Sequence, residues 1–311
     1  VIVCRHLSKS YGAFQALEDL NLEIDKGDTF GFIGPNGAGK TTTIRILSTL
    51  LEPSEGEAVV AGYSVVEHPE EIRRVLGYMP DKFGVYDGMK VWEYLDFFAG
   101  AFRIARSSRG QLIDDVLELT DLGHKKDFFV EALSTGMRQR LCLAKTLLHD
   151  PQVLILDEPA SGLDPRARIE MRELLKELTR MGKTIMISSH ILPELSDFCN
   201  RVGILEAGKL LAAGKVDDIM GTLQSERRIS VRLLRNGEQA AEWLQNEDSV
   251  SGLDLVQGSP CKLRFAFAGE LEALAALAER LATPEYGLVG FEEQKTDLED
   301  LFLRVTKGVV R

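Results

Sequence analysis

The stretch Gly34-Pro35-Asn36-Gly37-Ala38-Gly39-Lys40-Thr41 constrains this chain more than any other. It follows the apolar run Phe30 to Ile33, which reads as a buried strand, and it opens the helical pattern Thr41 to Leu50. Strand, glycine loop and helix in that order make a phosphate cradle. Glycines let successive backbone N–H groups turn inward, the helix N-terminus adds positive dipole, and Lys40 brings a point charge to β- and γ-phosphates. Gly34, Pro35, Asn36, Gly37, Ala38, Gly39 and Lys40, with Thr41 and Thr42, are therefore the candidate nucleotide-binding residues, and the Thr41 hydroxyl suits Mg²⁺.

Such a loop belongs in an α/β core, and the rest of the first two-thirds of the chain supplies one. Val153 to Leu156, Thr184 to Ile187 and Val202 to Leu205 are short apolar runs of the kind buried in parallel sheets. Helical patterns alternate with them at Met137 to His149 and Arg166 to Met181. Tyr11 to Ile24, between turns at Gly12 and Gly27, reads instead as antiparallel strands, and residues 87–150 read as a mostly helical insert. Val153-Leu154-Ile155-Leu156 ends in Asp157-Glu158, which places two carboxylates at the carboxyl edge of the sheet beside the phosphate loop. Asp157 suits a water-mediated metal contact and Glu158 suits activation of the water that attacks a γ-phosphate.

Composition narrows the partners. Lysine and arginine total 37 against 48 acidic residues, a net charge of -11, which argues against a broad basic face for nucleic acid. The four cysteines, Cys4, Cys142, Cys199 and Cys261, form no paired metal-ligand spacing and fit a reducing, cytoplasmic setting. No run approaches the roughly 18 to 20 apolar residues of a membrane span. The opening Val1-Ile2-Val3-Cys4-Arg5 has neither an initiator methionine nor a signal-peptide layout, which reads as a trimmed start with no sign of export.

Near Gly221 the pattern changes. Strand Ile229 to Leu234, helix Gln239 to Gln245, strands Leu253 to Gln257 and Lys262 to Phe267, helix Glu270 to Leu281 and strand Leu288 to Gln294 give the order βαββαβ. That order predicts a small α+β, ferredoxin-like domain over 222–311, closed by a helix at Asp297 to Thr306.

Between the phosphate loop and Asp157 stands Leu133-Ser134-Thr135-Gly136-Met137, directly before a helix and about 20 residues ahead of Asp157. Together these motifs, in this order, resemble the ABC ATPase family over residues 1–221. The resemblance implies a nucleotide-binding domain that dimerises around two MgATP molecules, with Ser134 and Gly136 of one copy capping the ATP held by the other. It implies that Asp164, in Ser161-Gly162-Leu163-Asp164, lies in a loop communicating across the dimer. It also implies that His190 contacts the γ-phosphate and that Tyr11 stacks on adenine. Thr135 and Met137 depart from the family's Gly and Gln.

Asp81, after Leu76-Gly77-Tyr78-Met79-Pro80, stands where the family has Gln; it either reaches Mg²⁺ or its water, or caps the loop Lys82 to Gly88. Phe83, Val85, Tyr86, Trp92 and Phe97 match the stretch where family transporters receive their membrane subunit, or else form an inward-facing core. The ending Asp297-Leu298-Glu299-Asp300-Leu301-Phe302-Leu303 is similar to ATPase subunits of bacterial exporters with a separate membrane polypeptide. The expectation is thus an ATPase subunit that is peripheral on the inner face of the cell membrane and powers export. Two other readings stand beside it: a soluble ABC ATPase acting on nucleic acid or ribosomes, and a ligand-binding regulatory role for the last domain.

Overall fold

The computed structural model describes residues 1–82, 84, 86, 88–189, 195, 198–216, 218–219, 227–256 and 258–294. His190, Phe83, Val85 and the ending from Asp297 lie outside the described residues. The chain divides into two compact units, the first over Val1–Val216 and the second from Asp217.

Five parallel strands carry the first unit: β3 (Thr29–Ile33), β6 (Leu76–Met79), β7 (Val153–Asp157), β8 (Thr184–Ser189) and β9 (Arg201–Glu206). With β10 (Lys209–Lys215) antiparallel at one edge, they form a six-stranded sheet ordered β10-β9-β3-β8-β7-β6. Every residue of β3, β7 and β8 is buried, as expected of central strands covered on both faces. The register pairs Ile33 with Ser189 and Asp157 with Ser188, so β3, β7 and β8 all end at one level. The phosphate loop and the two carboxylates therefore leave the same edge of the sheet.

A second, four-stranded antiparallel sheet is ordered β2-β1-β4-β5, from β1 (Ile2–Tyr11), β2 (Phe14–Ile24), β4 (Glu55–Val60) and β5 (Tyr63–Ser64). Its apolar side chains Leu17, Leu20 and Ile24 share one core with Phe30 of β3 and with Ile44, Ile46 and Leu47 of α1 (Lys40–Leu47). Each such side chain contributes roughly 1.5–3 kcal/mol of burial, so α1 is anchored by packing and not by its length. The short α2 (Pro69–Val75) leads into β6. The expected insert consists of α3 (Val91–Ala101), α4 (Arg106–Leu119) and α5 (Thr135–Leu147), which contact one another. Helix α6 (Pro165–Arg180) buries Met171, Leu174, Leu175 and Leu178 along one face, a spacing of three and four residues.

The second unit follows the expected order: β11 (Arg227–Leu233), α7 (Gly237–Gln245), β12 (Val250–Val256), β13 (Cys261–Phe267), α8 (Leu271–Leu281) and β14 (Leu288–Gln294). Its four strands are ordered β12-β13-β11-β14 and all pairs are antiparallel. Ile229, Val231 and Leu233 of β11 and Leu263, Phe265 and Phe267 of β13 pack with Ala240, Leu244, Leu274 and Leu277 of the helices, so the alternation seen in the sequence marks one buried face.

Candidate nucleotide site

Gly39 caps α1 with φ 107°, a backbone conformation that L side chains rarely adopt. The turn it makes lets α1 begin directly after the loop. Lys40 is only 5% exposed, and its Nζ donates to the carbonyls of Gly34 at 2.6 Å and Pro35 at 3.2 Å. Its ammonium lies 3.8 Å from Oε1 of Glu158. Burial lowers the Lys40 pKa, and the charges of Glu158 and Asp157 push it back up. A cation is thus folded into the loop with its charge only partly compensated, which suits an anionic ligand. Gly34 and Ala38 are buried, Pro35, Gly39 and Thr42 half-buried, and Asn36, Gly37 and Thr41 exposed.

At the end of β7 the geometry is tighter. Asp157 is 1% exposed and accepts a hydrogen bond from Ser188 Oγ at 2.6 Å. The same Oγ accepts the Glu158 N–H at 3.0 Å. Glu158 holds φ 50°, a left-handed conformation costing a non-glycine residue about 1–2 kcal/mol. The turn is closed by the Ser161 N–H, which bonds the Glu158 carbonyl at 3.0 Å. This kink redirects the chain so that two successive carboxylates leave the strand differently: Asp157 locked against β8, Glu158 turned toward Lys40. Ser188 was not singled out in the sequence; the signal for it is a pair of hydroxyls, Ser188 and Ser189, directly after the apolar Ile185-Met186-Ile187.

Ser134 is exposed and caps α5, its Oγ accepting the Met137 N–H at 3.3 Å. The helix starts at Thr135, two residues before the expected Met137, so Gly136 lies in the first turn with the end-on N–H groups. Asp164 caps α6, its carboxylate accepting the Ala167 N–H at 2.9 Å, with Pro165 as the first helical residue. Tyr11 ends β1 with 47% exposure, and Lys9 Nζ stands 5.5 Å from its ring centroid. Asp81 is exposed, two residues beyond the end of β6.

Of the described residues in the aromatic stretch, Trp92 is half-buried. Tyr94 is buried against Phe98 at 4.9 Å between ring centroids, whereas Tyr86 and Phe97 are about half exposed and meet edge-on at 5.7 Å. No helix among the described residues is long and apolar enough to cross a membrane.

The ABC transporter family profile matches residues 17–161. The Bacillus subtilis ABC transporter ATP-binding protein YhcH, uncharacterized, is 39% identical over 307 residues, covering 98% of this chain and 96% of its own. The Escherichia coli probable multidrug ABC transporter ATP-binding protein YbhF is 36% identical over 219 residues, covering 70% of this chain; that match spans 38% of YbhF's length. A solved ATP-binding subunit of an ABC transporter superposes with a TM-score of 0.65 at 32% identity, covering 72% of this chain and 93% of that one. The profile falls on the phosphate loop, the α5 cap and the Asp157-Glu158 turn, and the YhcH match runs nearly end to end: the chain belongs to the ATP-binding proteins of the ABC transporter family.

Proposed function

We propose that the chain is the ATP-hydrolysing subunit of an exporter, working as a dimer that encloses two MgATP beneath a separate membrane subunit at the inner face of the cell membrane. The observation that carries this reading is the turn at Glu158, which holds two carboxylates and a buried lysine at one sheet edge. In this reading Lys40 and the loop amides from Gly34 to Thr42 bind the phosphates, and Tyr11 stacks on the base. The Thr41 hydroxyl and the Asp157 carboxylate are hard oxygen donors that suit Mg²⁺, with Asp81 as a further oxygen near its water. When bound, the ion neutralises charge on the phosphate oxygens. Glu158 accepts a proton from the attacking water as its oxygen bonds to the γ-phosphorus and the bond to the ADP oxygen breaks; His190 steadies the γ-phosphate.

The cap of α5 acts on the other copy's nucleotide: Ser134 and the amide at Gly136 supply donors and helix dipole where the γ-phosphate charge sits, and Asp164 lies in the loop beside it. The exposed Tyr86 and Phe97 are the surface for the membrane subunit. The multidrug description of YbhF supports outward transport; the substrate is then selected by the membrane subunit. Residues from about 222 form a separable domain with no role in the chemistry, since the nucleotide-site residues all lie earlier. Hydrolysis by the purified chain, lost in Glu158→Gln while ATP still binds, is the test; equal turnover in both proteins rejects the reading.

A further inference from the structure

Gln139 lies on the second turn of α5, is 5% exposed, and donates from Nε2 to the carbonyl of Ser161 at 2.9 Å. Its Oε1 is buried without a hydrogen-bond partner among the described residues. A buried amide with one half unpaired costs free energy, which the bond from its other half offsets in part. The bond it makes is the first of a series. The Ser161 N–H bonds the Glu158 carbonyl at 3.0 Å, the Glu158 N–H bonds Ser188 Oγ at 3.0 Å, and that hydroxyl bonds Asp157 at 2.6 Å. Helix α5 is thereby tied, peptide by peptide, to the strained residue that carries the Glu158 carboxylate.

Nearby contacts stiffen the connection. Arg140 ion-pairs with Glu170 of α6 at 3.5 Å and with Asp121 at 3.0 Å. Gly136 packs so close to α6 that an added Cβ would stand 3.2 Å from that of Ala167. The start of α5 is therefore held both against the turn, at Ser161, and against the first turns of α6 that follow it.

We infer that Gln139 is a positioning residue: it sets the left-handed turn at Glu158 according to where α5 sits. The inference rests on the function proposed above, in which α5 caps the partner copy's ATP while Glu158 acts on its own. Under it, the seating of α5 on one nucleotide aligns the base at the other, through an amide that touches neither. Gln139 is not itself catalytic.

The test uses the full chain with Gln139→Met, which keeps the side-chain length and removes the donor, and Gln139→Glu, which when ionised faces the Ser161 carbonyl with acceptors only. We expect kcat to fall about tenfold in Gln139→Met, the size of one lost hydrogen bond, and further in Gln139→Glu, with KM for ATP within about twofold of wild type. In a Glu158→Gln background Gln139→Met should add no further loss. Wild-type kcat in both variants, or a rise in KM matching the fall in kcat, overturns the inference and leaves the hydrolytic reading standing. A wild-type chain without hydrolysis overturns the hydrolytic reading, and this inference with it.

Discussion

Strands β6 and β7 are parallel neighbours that end at one level, Met79 beside Leu156, and each hands an acidic residue to the same edge of the sheet. At β7, Asp157 is buried, bonded to Ser188 and followed by a residue held at φ 50°. At β6, Asp81 follows Pro80 into an exposed loop. The two strand ends differ in how much of the site is built before its ligand arrives. A carboxylate wedged between two core strands is positioned by the fold, and its substitution disturbs the fold's geometry at that point. A carboxylate on a solvent-facing loop depends on the ligand for its position, so its substitution costs less.

The comparison sets an order of effects. Glu158→Gln should cut turnover by roughly 10²–10⁴-fold with ATP affinity kept, as for loss of a general base; steady-state hydrolysis beside equilibrium nucleotide binding reads both. Lys40→Ala should weaken ATP binding by about a hundredfold, the upper range for a charge-assisted hydrogen bond, measured by calorimetry. Because burial lowers the Lys40 pKa in the free protein, affinity should also begin to fall on the alkaline side below the ordinary lysine value of about 10.4; the charged form binds phosphate, and it is the form lost as pH rises. A pH series of ATP affinity with no decline before that value would remove the burial argument.

Smaller effects separate the two strand ends. Ser188→Ala leaves Asp157 without its donor and the Glu158 N–H without its acceptor, and should slow hydrolysis by about tenfold. Asp81→Ala should slow it by less than that, below the usual 10–100-fold for residues that support a metal, with the deficit shrinking as Mg²⁺ is raised. If Asp81→Ala proves worse than Ser188→Ala at saturating Mg²⁺, the contrast between the strand ends is wrong. Smallest of all, a chain ending near Gly221 should bind ATP as the full chain does; an unfolded or non-binding product would reject independence of the last domain.

The features legible in the sequence are those where local chemistry and fold agree. Phe30 to Ile33 before a glycine loop, and Val153 to Leu156 before two acids, read as buried parallel strands and fold as such, and the βαββαβ order of the second unit followed from alternation at Ile229, Val231 and Leu233. Strand β10 was missed because its half-exposed Lys-Leu-Leu-Ala-Ala-Gly-Lys has neither apolar continuity nor β-branched residues; its place comes from pairing with β9. Helix α5 begins earlier than its apolar pattern because the Ser134 cap, and not hydrophobicity, starts it. Ser188 and Gln139 carry no motif that periodicity exposes. Their partners are 31 and 22 residues away, and only the fold brings them together.

In the proposed function this edge of the sheet closes around ATP between two copies of the chain. Sizing Glu158→Gln by light scattering with and without MgATP tests it most directly, since blocked turnover holds the closed state. We expect monomer without nucleotide and a dimer containing two ATP with it; a protein that binds MgATP and stays monomeric would contradict closure around ATP.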